Sequence, residues 1–547
     1  FHEVFGRRLR LVRYLVALLF AVLLAVPAIG RWQQWLLFRN SQDFDVADAQ
    51  FGIDVGFYVF ELPFLSFVVS WAFASFVVIL ILTAVAHYLN GGIRLQTLGG
   101  ERVTPNVKVH LSALLAVLAV IKAADYWLDR FGLTVSGRGV VDGALYTDVN
   151  AQLPALNLLI LISLFAVVLL VVNLRRRGWV LPVLAVGLWA FVAIVVGSIY
   201  PAFVQRFNVE PNETSREAEF TERNIEATRA AFELTPGDHV ERQAFDYTEE
   251  LTPDQIRANA ATVRNARLVD PLVVDPTFDR LQAEREFYRF PGVLDTDRYV
   301  IDGEITQAVL AARELNLTEV SSWERKHVRL THGYALALVQ ANATTREGRP
   351  DFQIGGLPVT VSDRVDVTLE QPQIYHGEDF GGYALVGATV DEVDFVDSDT
   401  GEEVKYRDTG ESGVEMGSFL RQAAFALRFG EIDPLISNFV TSDTRVIYVR
   451  DVRERVQKVA SFLELDADTY PVIIDGRVQY VTDAYTTTSR YPYSQSAENG
   501  RLSGGGLAGG SFNYVRNSVK AVVDAYDGDV TLYVTCLLYT SDAADDL

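Results

Sequence analysis

One stretch constrains this chain more than any other: Trp179 to Tyr200 (WVLPVLAVGLWAFVAIVVGSIY), 22 residues without a charge. At about 1.5 Å per residue, a helix of that length covers the roughly 30 Å hydrocarbon core of a bilayer. Each unpaired backbone group in hydrocarbon costs several kcal/mol, so the run is predicted to be a membrane helix and not a sheet. Arg175, Arg176 and Arg177 precede it and mark a cytoplasmic end by the positive-inside tendency, which puts the chain beyond Tyr200 outside the cytoplasm.

Charge divides the chain at the same place. Of 48 basic and 70 acidic residues, 15 and 11 fall in residues 1–200, which leaves 33 and 59 for residues 201–547. A second half with a net charge of −26 disfavours nucleic acid as a partner and suits a hydrated soluble domain. The single cysteine, Cys536, rules out an intramolecular disulfide, so that domain must rely on core packing. The chain starts at Phe1 and its one methionine is Met416, which is expected of a fragment lacking its native N-terminus.

Four further spans are predicted upstream. The first, about 14–29, follows the basic run Arg7, Arg8, Arg10 and Arg13, and Arg31, Trp32 and Trp35 stand where a cleaved signal peptide would need small residues. An acidic, aromatic segment with Asp43, Asp45, Asp48 and Asp54 then reads as an outer loop closing on an interfacial belt at Phe57–Phe64. The remaining spans are 65–88, 109–124 and 153–172, with 179–200 the fifth. Inside segments hold ten basic and two acidic residues, outside ones five and nine, so all five spans agree on one orientation. Lys122 and Asp125, three apart on the third span, form a membrane polar pair, a candidate for transport set against simple snorkelling at the outer end.

The acidic half reads as an α+β domain over 201–535, helix-rich at 201–349 and mixed from 350. Thr214–Glu217 and Thr252–Gln255 are capping-box patterns, the first opening a helix through Leu234, and more helix is predicted from Thr306 to Leu315. Beyond Pro350 the runs shorten and become β-rich. Asp475-Gly476 marks a type I′ hairpin, Tyr526–Asp529 a second turn, and helices are predicted from Gly417 to Phe429 and from Asp451 to Leu463.

Chemistry-bearing motifs are few. Gly504–Gly509 matches a dinucleotide fingerprint in letters but has no strand before it, so it reads as a loop. The acid-rich Asp391–Glu403 (DEVDFVDSDTGEE) offers Asp397, Asp399 and Glu402 to calcium. Gly401 falls one place early for an EF-hand and the closing glutamate is missing, which favours a solvated turn. His327 and His332 are five apart, not the spacing of a helical zinc pair, and His332 reads as a hydrogen-bonded core or turn histidine. No nucleophile elbow or phosphate loop occurs, and abundant carboxylates leave a glycosidase open without pointing to one. No cofactor and no metal is predicted.

Four segments carry a family resemblance: Phe51–Phe64 (FGIDVGFYVFELPF), Glu222–Ala231 (ERNIEATRAA), Thr331-His332-Gly333 and Asn513–Val534 (NYVRNSVKAVVDAYDGDVTLYV). Over about residues 1–535 the chain resembles the uncharacterised protein family 0182, bacterial multi-pass membrane proteins with a large extracytoplasmic domain. The resemblance implies a cell-membrane location, further spans before Phe1 and more soluble chain after Val534 in full-length members. It transfers no catalytic or ligand residue. Residues 536–547 depart from the family and read as a non-native tail, expected to be poorly packed.

Three functions compete. A transporter would place ionisable groups in several spans, and four of the five here are nearly free of them. An envelope enzyme acting on glycan or lipid would need a nucleophile, base or metal set. A membrane-anchored extracytoplasmic scaffold or assembly factor needs only a rigid hydrated domain on a helical anchor, with the lipid bilayer and envelope proteins as partners, and is the favoured expectation.

Overall fold

The computed structural model describes residues 8–94, 103–237, 240–243, 251–283, 287–290, 292–397, 400–498 and 511–535. The glycine run 504–509, Asp399 and the 536–547 tail lie outside the described residues. Two compact units form. The first comprises Phe1–Arg242 with Thr488–Glu498 and Ser511–Val515; the second comprises Gln243–Thr487, Asn499–Gly510 and Arg516–Leu547.

The first unit is helical: α1 (Arg8–Ile29), α2 (Trp32–Arg39), α3 (Leu62–Leu89), α4 (Pro105–Gly132), α5 (Leu153–Arg176), α6 (Val180–Ile194) and α7 (Glu213–Ala231). Among the described residues four stretches are long and apolar enough to cross a membrane: Phe57–Leu89, Pro105–Val135, Asp148–Arg176 and Val180–Ala231. The pair Tyr14–Ile29 and Trp32–Arg39, bent by 56°, makes a fifth if it is one broken span. Each helix overruns its apolar run. The segment Phe57–Phe64, expected as a loop end, is already helical.

Proline positions explain how these helices are built. The π-turns Phe57–Glu61, Asp148–Gln152, Val195–Ile199 and Gln205–Val209 are each followed, two residues on, by Pro63, Pro154, Pro201 and Pro211. A proline inside a helix lacks the N–H for its i−4 carbonyl and its ring presses on that carbonyl, which a widened π-turn relieves. The Gly197 carbonyl, four before Pro201, instead accepts from Gln152 Nε2 at 3.4 Å. The consequence is a continuous helical path from Val180 to Ala231. The Thr214–Glu217 box therefore opens no helix: α7 starts at Glu213 behind Asn212, whose side chain makes no cap, because the chain arrives already helical.

Small residues let the spans approach: Ala116, Ala166 and Ala185 pack with Leu170 in one cluster. Asn173, buried near the end of α5, donates to Ser112 Oγ at 2.9 Å and to the Gly178 carbonyl at 3.0 Å, tying α5 to α4 and to the turn before α6.

The second unit opens with α8 (Pro253–Ala258), which carries the expected Thr252/Gln255 capping box, and α9 (Pro271–Phe278). An antiparallel meander follows, β1 (Asp295–Ile301), β2 (Glu304–Ala312), β3 (Leu336–Thr344) and β4 (Pro350–Gly355), ended by Thr360–Val361. Thus the helix expected over Thr306–Leu315 is largely strand, and the helical texture expected to 349 gives way at Asp295. The run from Ala308 to Ala312 is buried on both faces between β1 and β3, so it lacks the alternation that marks a half-buried strand.

Next come β5 (Tyr383–Val386), β6 (Glu392–Val396), β7 (Glu403–Tyr406), α10 (Phe419–Phe429), α11 (Asp433–Ile436), β8 (Arg445–Tyr448) and α12 (Val452–Val459). Ser418 caps α10 and Gly430, at φ 70°, ends it; Asp451 caps α12 through the Glu454 amide, both as the sequence predicts. The last sheet is β9 (Glu464–Ile474), β10 (Arg477–Thr488), β11 (Tyr514–Asp524) and β12 (Val530–Val534), in that order. Its first hairpin turns at Asp475 and Gly476, with φ of 50° and 74°, the type I′ signature. Leu310, Leu338, Val456, Val478, Tyr480 and Val523 share one core, where each buried aliphatic side chain contributes roughly 1.5–3 kcal/mol.

Candidate functional site

Three of the four resemblance segments meet in the first unit. Asn224 of α7 donates to the carbonyls of Asp142 and Tyr493, each at 2.8 Å. One turn on, Thr228 Oγ1 accepts the Gln495 amide at 2.9 Å, and Arg223 Nη1 reaches Gln50 Oε1 at 3.0 Å. Asp142 completes the ring: its amide donates to Gln495 Oε1 at 3.0 Å and its carboxylate accepts the Ser496 amide at 2.9 Å. Helical spacing puts Asn224 and Thr228 on one face, so a single turn of α7 holds both Tyr493 and Gln495 of the 493–496 loop.

Aromatic packing seals the same junction. Tyr491 and Tyr514 stack with centroids 5.7 Å apart, and Phe44 meets Tyr514 edge-on at 5.4 Å. Asn513 clamps Tyr491 from both sides, accepting its amide at 3.0 Å and donating to its carbonyl at 2.8 Å. Tyr493 sits at φ 63°, a left-handed conformation that costs a side-chain-bearing residue about 1–2 kcal/mol. Its amide bonds to the Thr134 carbonyl at 2.8 Å, and Gly143 leaves room for its ring, since a Cβ there would come within 2.7 Å of Tyr493 Cδ1. The carboxylates nearby are committed to structure. Asp48 alone accepts the amides of Gln50, Phe51 and Ile53 and the Tyr58 hydroxyl, at 2.7–2.9 Å. This junction holds chain, and the Asp48 and Asp142 carboxylates in it are engaged by backbone amides.

The fourth segment, Thr331-His332-Gly333, lies in the second unit. His332, 1% exposed, stands between two carboxylates: Nδ1 is 3.4 Å from Glu392 Oε2 and Nε2 is 3.3 Å from Asp394 Oδ1. Thr331 Oγ1 donates to Glu392, which also accepts from Tyr375 at 2.7 Å and from the Asp408 amide at 3.1 Å. Gln373 donates to Asp394 at 2.7 Å. Burial by itself would lower the imidazole pKa, but its hydrogen bonds to the Asp394 and Glu392 carboxylates outweigh it and the pKa rises. Burial would raise the Glu392 carboxyl, and His332 with Thr331 and Tyr375 holds it below its ordinary value. A hydroxyl, an imidazole and two carboxylates suggest a catalytic relay, yet Thr331 donates straight to the carboxylate and is itself fully buried. The arrangement is a buried ion network, the core histidine anticipated from sequence. Its partners Glu392 and Asp394 belong to the stretch read as a solvated acidic turn; two apart on β6, both are buried. The i, i+2 acidic pair in a Val/Phe-rich run was the available signal.

A carboxyl cluster lies elsewhere in this unit. Buried Glu314 accepts the amides of Glu378 and Asp379 at 2.7 and 2.9 Å and the Tyr480 hydroxyl at 2.7 Å; burial pushes it up to about 7. Burial and the Glu314 charge push Glu378 to about 10, and burial with Asp468 pushes Asp295 to about 8.

The remaining sequence candidates fall out as follows. Lys122 and Asp125 pair at 2.5 Å, both partly buried. Asp397 Oδ1 accepts the Thr400 amide at 2.7 Å and its hydroxyl at 3.0 Å, so it organises the β6–β7 turn, while Glu402 is exposed in that turn. Among the described residues no group of three His, Cys, Asp or Glu converges to hold a metal ion. His327 stacks on Tyr383 at 4.0 Å and meets its carbonyl at 2.8 Å, remote in role from His332.

Fold and sites define a class: a helical membrane domain followed by an α+β domain, stabilised by buried polar clamps. The chain belongs to the uncharacterised protein family UPF0182, whose model matches residues 1–536. It is 41% identical to a UPF0182 protein of Frankia alni over 96% of this chain and 52% of that protein. Relatives in Streptomyces coelicolor and Thermobifida fusca are 38% and 37% identical, with 95% and 94% of this chain and 53% and 57% of theirs covered. The chain thus spans about half the length of the curated relatives it matches. No solved structure matches it.

Proposed function

We propose that this protein is a multi-pass scaffold or assembly factor of the cell envelope, whose α+β unit stands outside the cytoplasm and docks protein partners. The loop-charge asymmetry supports that sidedness. One observation carries the docking role: α10 and α11 turn apolar residues outward as well as inward. Phe425 and Phe429 pack into the core beside Tyr383, while Phe419, Leu420, Leu427, Ile432 and Ile436 are 68, 79, 86, 61 and 64% exposed. Leu420 and Leu427 are two helical turns apart, so they form one outward stripe. A helix apolar on both faces is stable only when both are covered, and an exposed apolar patch of this kind marks an interaction surface. The His332 network, by contrast, is enclosed, and its two carboxylates accept internal hydrogen bonds from Thr331, Tyr375 and Gln373.

A photo-cross-linking residue at Leu427 of the full-length protein, activated in its native membrane, tests the reading. Adducts with a discrete protein, lost in Leu420→Glu, are expected. Recovery of no protein, with glycan or lipid turned over by the α+β unit, would instead favour an envelope enzyme. A reporter fused at Gly237 tests sidedness, and cytoplasmic-type activity there would overturn the orientation.

A further inference from the structure

The α+β unit carries an open groove of about 620 Å³ bounded by α10, α12, β8 and the start of β12. Arg428 of α10 and Arg455 and Lys458 of α12 line it, with Asp529 the one acidic residue among the described lining. Residues 201–547 hold 59 acidic against 33 basic groups, so a basic groove runs against the charge of its own unit. Lys458 is paired with Glu454 along α12. Among the described residues neither arginine closes an ion pair with a carboxylate. Arg455 Nε donates to the Gly528 carbonyl and Nη1 to the Val449 carbonyl at 3.3 Å, and Asp529 attracts it only at longer range. A guanidinium has five donors, so two carbonyls fix this one in place without neutralising it. Arg428 lies over the Tyr448 ring, 4.9 Å from its centroid. The positive potential reaches behind the wall: the His376 ring lies directly behind Gly528, and burial, with the charges of Arg455 and Arg450, holds its pKa well below the ordinary value.

The rest of the lining is largely apolar, and Val414 and Val459 in it are 39 and 61% exposed. A small inorganic anion would meet the cations and leave that apolar surface wet. An extended peptide bearing both acidic and apolar side chains would cover both, and the guanidinium fork matches a carboxylate bidentately. Arginine and tyrosine are also the residue types that most often carry binding energy at protein interfaces. Arg428 follows Leu427 on α10, so the groove adjoins the outward stripe of that helix. We propose that this groove recognises an acidic segment of the protein that α10 docks: its carboxylates meet Arg428 and Arg455, and its apolar side chains cover Val459 and Val530. This rests on the docking role of α10 and adds the chemistry of the partner.

A short fluorescent peptide of alternating glutamate and leucine, titrated into the purified full-length protein, tests the groove. Binding should weaken as salt is raised, and Arg428→Glu should lower affinity about tenfold. Val459→Asp, at a second exposed position, should act in the same direction. Arg346→Glu makes the same charge change on the exposed turn between β3 and β4 and should leave binding unaltered. Equal binding of a peptide with glutamine in place of glutamate, displacement by inorganic phosphate at the concentration of the peptide, or an equal loss in the Arg346 variant would overturn the site. In the native membrane, a photo-cross-linking residue at Val459 should join an acidic segment of the same protein that Leu427 captures. Adducts at Leu427 with none at Val459, or a basic segment at Val459, would overturn the groove and leave the docking role of α10 standing. No adduct at either position would overturn the docking role, and with it the source of the segment.

Discussion

The Asn224 side-chain amide donates to the Tyr493 carbonyl at 2.8 Å across 269 residues of sequence, and to the Asp142 carbonyl at the same distance. One buried amide thereby joins α7, the loop between α4 and α5, and a segment inserted between β10 and β11. Replacing it with leucine strands two acceptors, at about 1–3 kcal/mol each. We expect Asn224→Leu to lower the unfolding temperature of the first unit and to accelerate hydrogen exchange at the Tyr493 and Gln495 amides. Unaltered exchange there would show that the clamp carries no weight.

Stability should depend on pH through His332 and Glu392. The raised imidazole pKa contributes stability that is complete below the unfolded value of about 6.5 and is lost as pH rises through the folded one. The lowered Glu392 pKa contributes stability present above about 4.3 and lost as pH falls through its folded value. Their joint contribution therefore peaks between those limits. His332→Gln, which leaves two buried carboxylates without a cation, should cost about 3–5 kcal/mol and flatten the alkaline limb in denaturant titrations run across that range.

Glu378 acts in the opposite sense. Its carboxyl is held protonated to about pH 10, so the folded state binds a proton that the unfolded chain releases near 4.3, and stability falls as pH rises between the two. Glutamine imitates the protonated form. Glu378→Gln should be more stable than the parent at pH 8, on the order of 1–3 kcal/mol, with a shallower pH slope in thermal unfolding. A less stable variant would mean that the ionised carboxylate is being held.

Pro63 should matter through the π-turn before it. Pro63→Ala restores an N–H for the Val59 carbonyl, and tightening Phe57–Glu61 to an α-turn drops one residue of register, about 100° of rotation. Tyr58 would then leave Asp48, now 2.8 Å from its hydroxyl. A loss of about 1–2 kcal/mol is expected in the detergent-solubilised protein, and full stability would show that packing alone sets the turn.

Much of this architecture is local and could be read from residues. Apolar length announces the spans, Thr252 with Gln255 announces a capped helix, and Asp475-Gly476 announces a hairpin, because each rests on neighbours within a few positions. Sequence also singled out His332 and the ERNIEATRAA run without showing their use. That use depends on contacts far along the chain: Glu392 and Asp394 enclose His332 because β6 is buried, and Asn224 finds Tyr493 because an insertion between two strands returns to α7. The same holds for β2, whose Ala- and Leu-containing run suits a helix until β1 and β3 bond to both its edges. Local propensity is worth tenths of a kcal/mol per residue, whereas burial and backbone pairing across a sheet are worth several per strand. Where the two disagree, only the folded chain decides.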